Sequence, residues 1–243
     1  MDFKELVSPS LTDLFVQELT NMILSGKLKI GEKLPTERQL AEKMKVSLAV
    51  VHGGITRLTA NGFLRVAPRK GVFVADYIRN GNIYTLKYIL DFTGDNFDPN
   101  ILEPISELRY SIESAAMKKA CENRTEKSLA ILSELLEQIS NSDSTTDYSE
   151  IGYAFHHEIA VASGNMYYPM LTETFKPLYI VFYEMYLTIE DPVSITKKLQ
   201  NLLNAIRQQD AQTAEMLLNK TIANWVKSLK NNMHKSKSIN MQE

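Results

Sequence analysis

The run from Leu34 to Val74, LPTERQLAEKMKVSLAVVHGGITRLTANGFLRVAPRKGVFV, constrains the fold more than any other stretch. Pro35 and Thr36 mark a helix start, and Gln39, three residues after Thr36, completes a capping box. A first helix is therefore expected over Glu37–Met44, with Leu40, Ala41 and Met44 facing inward. Lys45 and Val46 form the turn. Ser47 is the N-cap of a second helix that reaches Asn61, where Gly62 provides a left-handed stop. Val50, Val51, Ile55 and Leu58 make its buried stripe. Beyond Gly62, the runs Phe63–Val66 and Val72–Val74 flank Pro68-Arg69-Lys70-Gly71, which reads as a hairpin with a basic tip. Two short helices, a tight turn and a basic hairpin define a winged helix-turn-helix.

Upstream, Ser8–Ser25 reads as an amphipathic helix carrying Leu11, Leu14, Phe15, Leu19, Met22 and Ile23, closed by Gly26. Lys27–Lys33 leads through Gly31 into the Leu34 run. Residues 1–76 are thus expected to form one domain, with a linker at 77–82 where Asn80 and Gly81 fall. Charge supports a division at this point. Residues 1–79 carry 12 Lys and Arg against 8 Asp and Glu, whereas the remainder carries 15 against 21, so the N-terminal part is the one suited to phosphates.

Residues 83–233 show helical periodicity and no alternating strand, the pattern of an all-α bundle. Ile83–Phe92 is a short helix ended by the turn-rich segments 93–96 and 98–100. Ile101–Glu122 follows, with Leu108, Ile112, Ala115, Ala116 and Lys119 on a repeating face. Thr125 caps Glu126–Asn141, which bears Leu129, Leu132, Leu136 and Ile139. Helices are then expected over Tyr148–Ser163, Tyr168–Ile189, Ser194–Gln209 and Asp210–Asn232, and a frayed tail over 234–243. The fold class is mainly α. One cysteine, Cys121, excludes an internal disulfide. The start MDFKELVSPS lacks an apolar signal segment and no run suits a membrane span, so a cytoplasmic protein with no membrane partner is expected.

The segment Leu34–Val74 resembles the DNA-binding domain of the GntR family of bacterial transcription regulators. Leu34–Ala41 matches the family's L-P-[ST]-E-R-x-L-A without a gap, Val46–Gly62 matches its middle motif in part, and Arg69–Val74 matches the end of its wing. The second half resembles the FCD effector domain of the FadR branch, through Glu107-Leu108-Arg109 with Glu113, Phe155-His156 with Ala162-Ser163-Gly164-Asn165, and Ala205-Ile206 with Asp210 and Ala214.

The resemblance implies double-stranded DNA as a partner, read by a recognition helix in the major groove. Arg38, Ser47, Leu48, His52, Arg69, Lys70 and Gly71 fall at the contacting positions, and Arg57 and Arg65 are further phosphate contacts. Where the family has two arginines, this chain has Leu48 and His52. Leu48 suits a thymine methyl and His52 a single hydrogen bond. Gly53 and Gly54 each cost a helix interior about 1 kcal/mol against Ala. Two explanations stand: Gly54 admits the first helix at close range while Gly53 is tolerated, or the helix is partly ordered until it meets DNA.

Many FCD relatives hold a divalent metal through an aspartate and three histidines. Carried over, His156 matches one histidine, the aspartate position is Gly152, and the other two histidines fall at about Leu199 and Thr221. The chain has four histidines, His52, His156, His157 and His234, which cannot supply that set from the bundle, so no metal and no cofactor is expected. Arg109, His156, Asn165 and Tyr183 are the expected effector contacts, with Tyr179, Phe182 and Tyr186 as an apolar wall. Arg109 suits a carboxylate or phosphate, or pairs with Glu113 one turn on.

The expected function is a homodimeric regulator of a palindromic operator, a repressor by the family default, responding to an organic acid or acyl compound. The alternative is a degenerate member that senses or interacts with weak DNA binding. No phosphate loop, nucleophile elbow or histidine–carboxylate constellation suggests an enzyme.

Overall fold

The computed structural model describes residues 9–95, 102–142 and 144–239, which divide into a first compact unit ending at Phe92 and a second beginning at Thr93.

The first unit opens with α1 (Leu11–Leu24), capped by Ser10 in a reciprocal box with Asp13. Phe15, Val16, Leu19 and Ile23 are its buried face, while Leu11 and Leu14, expected on that face, are exposed. The inward stripe is therefore shifted toward Val16. Next come α2 (Glu37–Met44), with the Thr36–Gln39 capping box in place, and α3 (Leu48–Ala60), capped by Ser47. Strands β1 (Leu64–Ala67) and β2 (Gly71–Val74) pair antiparallel, Leu64 opposite Val74 and Ala67 opposite Gly71. The lead-in segment does more than connect. Leu34 N–H donates to Val72 C=O at 2.9 Å and Val74 N–H to Glu32 C=O at 2.9 Å, so residues 32–34 lie along the outer edge of β2. That edge is thereby covered rather than left open.

The expected linker is instead helical. α4 (Tyr77–Asn80) and α5 (Ile83–Asp95) belong with the first unit. Tyr77 and Tyr88 pack their rings on Phe63, with centroids 5.6 and 5.9 Å away. Asn82 Nδ2 donates to Ala60 C=O, and Thr85 Oγ1 to Asn61 C=O, closing the end of α3. α5 also continues through Thr93–Asp95, where a turn was expected; the expected turn at 98–100 lies outside the described residues.

The second unit contains α6 (Leu102–Asn123), α7 (Glu126–Ser140), α8 (Thr145–Ala162), α9 (Tyr167–Thr174), α10 (Lys176–Leu187), α11 (Pro192–Arg207) and α12 (Ala211–Ile239). α8 packs against α6, α7, α9 and α10, while α12 packs against α6, α10 and α11. Leu129, Leu132, Leu136 and Ile139 of α7 are buried as expected, beneath the Thr125–Ser128 capping box. Tyr168–Ile189 is two helices and not one. Pro177 has no N–H to donate to Glu173 and its ring crowds that carbonyl, so the chain breaks at Phe175. α6 turns a different face inward from the one expected. Of the expected face Ala116 is buried, but Leu108 and Lys119 are exposed, whereas Ser106, Glu113, Ser114, Met117, Ala120 and Cys121 are buried. α12 stays helical to Ile239, past the expected fraying point; residues 240–243 lie outside the described residues.

Of the glycine pair in α3, Gly54 is explained by packing and Gly53 is not. A Cβ on Gly54 would stand 2.2 Å from Phe15 Cδ1, so α1 and α3 meet at this residue with the ring lying on bare backbone. A Cβ on Gly53 would meet only Thr12 Cγ2, at an ordinary 3.6 Å. Gly54→Ala is therefore expected to destabilise the first unit by about 1–3 kcal/mol through overpacking. Gly53→Ala should stabilise it by about 1 kcal/mol through helix propensity. Native-state amide exchange along α3 in the two variants measures both changes; equal effects would contradict this packing.

Candidate nucleic-acid interface and ligand cavity

The interface is built on the N-terminal turn of α3. Ser47 Oγ accepts from Val50 N–H at 3.3 Å, which fixes the helix start and leaves the next side chain, Leu48, outside. Leu48 is 48% exposed at the first position of α3, one turn ahead of the buried Val51. One turn on, His52 is exposed and its Nδ1 lies 3.3 Å from both carboxylate oxygens of Glu37, the first residue of α2. A carboxylate only accepts, so this contact puts the proton on Nδ1 and turns Nε2 outward. Arg38 is exposed beside Glu37.

At the hairpin tip Arg69 and Lys70 are exposed. Arg69 has φ 62° and Gly71 φ 115°, and a Cβ on Gly71 would stand 2.9 Å from Lys33 Cε. Arg65 lies over the Phe73 ring at 4.7 Å, its charge still exposed.

Arg57 is a correction. It lies five residues past His52, about 140° further round the helix. It pairs with Asp13 and donates to the Tyr88 hydroxyl at 3.0 Å, joining α1, α3 and α5. The Ser10 hydroxyl and then the Arg57 guanidinium hold the Asp13 carboxyl down at about 2. Arg57 is an exposed side chain that braces α1 and α5 against α3 and is not brought to Leu48 and His52.

The second unit contains a partly open cavity of about 40 Å³. Phe182, Tyr183 and Tyr186 of α10 form one wall. Ile195, Lys198, Leu199 and Leu202 of α11 form another, and Leu218, Thr221, Ile222 and Trp225 of α12 a third. On α11 and α12 these positions repeat at i, i+3, i+4 and i+7, one helical face each. Arg109 and His156 make the polar end.

Behind that end is a buried network centred on Glu113. Arg109 Nε donates to Glu113 Oε1, and the Tyr179 hydroxyl donates to the same oxygen at 2.6 Å. Arg109 also stacks on the Tyr179 ring at 4.3 Å. Glu113 Oε2 lies 2.9 Å from His156 Nδ1, and His156 Nε2 lies 3.1 Å from the Tyr183 hydroxyl. Burial alone would raise the Glu113 carboxyl; Arg109 and then His156 outweigh it and hold the group down at about 2. Burial pushes the Tyr179 and Tyr183 hydroxyls up, so both remain protonated donors. At the opposite rim Lys198 Nζ donates to the Tyr186 hydroxyl at 2.7 Å and to Glu190 Oε2 at 2.6 Å.

Of the expected effector contacts, Arg109, His156 and Tyr183 line the cavity together and Asn165 does not. Asn165 is exposed between α8 and α9, where its Oδ1 accepts from Tyr167 N–H at 3.1 Å; it organises a turn. Lys198, Ile222 and Trp225 were not anticipated. Their helical spacing announces a buried face, but not that the face borders a cavity.

A divalent metal does not fit this donor set. Leu199 and Thr221 line the cavity where the family's histidines would fall, and they offer no imidazole. At Gly152 a Cβ would stand 2.6 Å from Tyr183 Cζ, so the tyrosine ring occupies the space an aspartate side chain would need. Both nitrogens of His156 already have protein partners. Among the described residues no three His, Cys, Asp or Glu side chains cluster as a metal site would require.

A winged-helix unit with an exposed recognition turn, joined in one chain to a helical unit enclosing a cavity, defines a ligand-responsive DNA-binding regulator. Comparison with known proteins places it further. The model for bacterial regulatory proteins of the gntR family matches residues 12–74, and the FCD domain model matches residues 104–224. The galactonate operon transcriptional repressor of Escherichia coli (strain K12) is 29% identical over 224 residues, covering 90% of this chain and 96% of that one. The fatty acid metabolism regulator protein of Shewanella pealeana is 27% identical over 161 residues, 66% of each chain. A solved structure titled "Lar controls the expression of the Listeria monocytogenes agr system and mediates virulence" shares the fold, with a TM-score of 0.65 at 17% identity over 93% of this chain and 99% of that one. The chain belongs to the GntR family and carries an FCD domain, and it is a DNA-binding transcription regulator that responds to a small molecule.

The Glu113 network has a pH signature. Its carboxyl titrates lower in the folded protein than unfolded, so its stabilisation is full above the unfolded value near 4.5 and is lost as pH falls toward about 2. Glu113→Ala, which leaves Arg109 buried without its partner, should cost about 3–5 kcal/mol at neutral pH. It should also flatten the acid limb of the stability curve over that window. Urea titrations of both proteins from pH 7 to pH 3 test the pair of effects; an unchanged acid limb would count against Glu113 as its source.

Proposed function

We propose that the protein is a homodimeric repressor in which two copies of the α3 turn read the half-sites of a palindromic operator. A small molecule taken up in the cavity of the helical unit would lower operator affinity. The observation that carries this reading is the exposed pair Leu48 and His52 on a helix whose start, core and end are all fixed. Two-fold symmetry follows from the length of duplex that one α3 turn reads, a few base pairs, which is too little to specify an operator alone. Similarity to the galactonate operon transcriptional repressor supports repression as the direction. A chromosomal DNA partner places the protein in the cytoplasm. No substrate chemistry is assigned to either unit, and we infer no enzymatic activity.

The recognition chemistry differs from that of an arginine pair. Leu48 offers an apolar surface to a thymine methyl. His52 presents Nε2 as an acceptor, suited to the exocyclic amine of cytosine or adenine. Arg38, Arg69 and Lys70 supply phosphate or minor-groove contacts. A degenerate member without specific binding would be favoured by a loosened α3. The Phe15–Gly54 contact instead gives Gly54 a packing role.

Selection of bound duplexes from a random pool, at two salt concentrations, tests the reading. A palindrome should be enriched, with affinity falling steeply as salt rises. Arg69→Ala and Lys70→Ala should weaken all sequences alike and reduce the salt slope by about 1 each. Leu48→Arg should move the preference at one position of each half-site toward guanine, by about 1–3 kcal/mol. Binding without an enriched sequence would favour the sensor alternative.

A further inference from the structure

We infer that the cavity takes a small uncharged molecule with an apolar body and one hydrogen-bond acceptor, in preference to a carboxylate. This rests on the cavity being the effector site. Size sets the first limit. The cavity, about 40 Å³, is small, so a compact ligand suits it better than a long acyl chain.

Charge sets the second limit. Two cations border the space, and each already has an internal anion. Arg109 pairs with Glu113, which is buried and further bound by Tyr179, with His156 Nδ1 2.9 Å from its other oxygen. Lys198 pairs with Glu190, itself bound by Ser194. The four formal charges cancel within the protein. A carboxylate entering this space would bring an unbalanced negative charge into an apolar enclosure made by Phe182, Ile195, Leu199, Leu218, Ile222 and Trp225. It would gain a cation only by displacing one of the two internal carboxylates. A neutral carbonyl, amide or hydroxyl oxygen faces no such competition, and it can accept from the Arg109 guanidinium, the Thr221 hydroxyl or the Trp225 indole.

Trp225 is the only tryptophan of the chain and lines the cavity, so its fluorescence reports occupancy directly. Isobutyramide and isobutyrate, which share a skeleton and differ in charge, are the probes. With the full-length protein at neutral pH, isobutyramide should change Trp225 emission saturably, and isobutyrate should bind roughly tenfold or more weakly. Glu190→Gln, at the partly exposed rim, leaves Lys198 without its anion and should narrow or invert that ratio. Tighter binding of isobutyrate by the natural chain, or a ratio unmoved by Glu190→Gln, overturns the inferred ligand class alone. Silence from both probes overturns the class and the cavity's role as effector site together.

Discussion

A single carboxylate ties the helical unit together. Glu113 sits one turn from Arg109 on α6, accepts from Tyr179 on α10, and meets His156 on α8. Three helices that could otherwise slide along apolar faces are thereby held in one register. A buried ion pair adds little net stability, because desolvation offsets much of its attraction. Its physical effect is on alternatives, since any shift of α6 against α8 or α10 strands a charge away from water. The register then positions Tyr183 over Gly152, where only a residue without a side chain leaves room for the ring. The cavity's polar end follows from that placement.

The first unit achieves the same fixity with an apolar contact. Phe15 rests on the backbone of α3 at Gly54, and the ring stands where any other residue would put a Cβ. Because α1 and α3 meet so closely, the outer face of α3 carries its side chains at a defined height. Glu37 then orients His52 from the start of α2. The wing is held by a different device, the pairing of residues 32–34 with β2. The basic tip thus projects from a braced hairpin, which matters because a two-stranded hairpin alone is marginal in water.

The parts of this architecture that were legible in the sequence are those whose causes are local. Thr36 with Gln39, Ser47, Gly62 and Thr125 are capping signals that act within one turn, and α2, α3 and α7 begin and end almost where these residues place them. What escaped depends on distant partners. That α5 closes the first unit is decided by Tyr88 on Phe63 and Thr85 on Asn61, contacts no periodicity encodes. The inward face of α6 was misread because hydrophobicity ranks Leu108 above Glu113. Glu113 is buried only because Arg109, Tyr179 and His156 are there to meet it. Arg57 and Asn165 have local partners for a similar reason: Arg57 pairs with Asp13 and Tyr88, and Asn165 accepts from Tyr167 N–H in a turn. The break at Phe175 was readable, since Pro177 lies inside an apolar helical run, and the helical period was allowed to override it.

The dimensions of the cavity bear on what kind of sensor this can be. A ligand of about six non-hydrogen atoms has an upper bound near 1.5 kcal/mol per atom, or about 9 kcal/mol in all, which corresponds to a dissociation constant no tighter than about micromolar. A ligand that closes the enclosure must also do so against the Tyr183–His156 and Lys198–Tyr186 hydrogen bonds, which are complete without it. The regulator would therefore respond to a metabolite that accumulates to micromolar or higher levels. Its operator affinity could change only by the difference in the ligand's binding to the DNA-competent and released states. A ligand this small has little binding energy to divide between the two states. A useful response then requires that they be nearly balanced before it arrives, and complete internal pairing of the cavity's charges is one way to keep either state free of a large penalty.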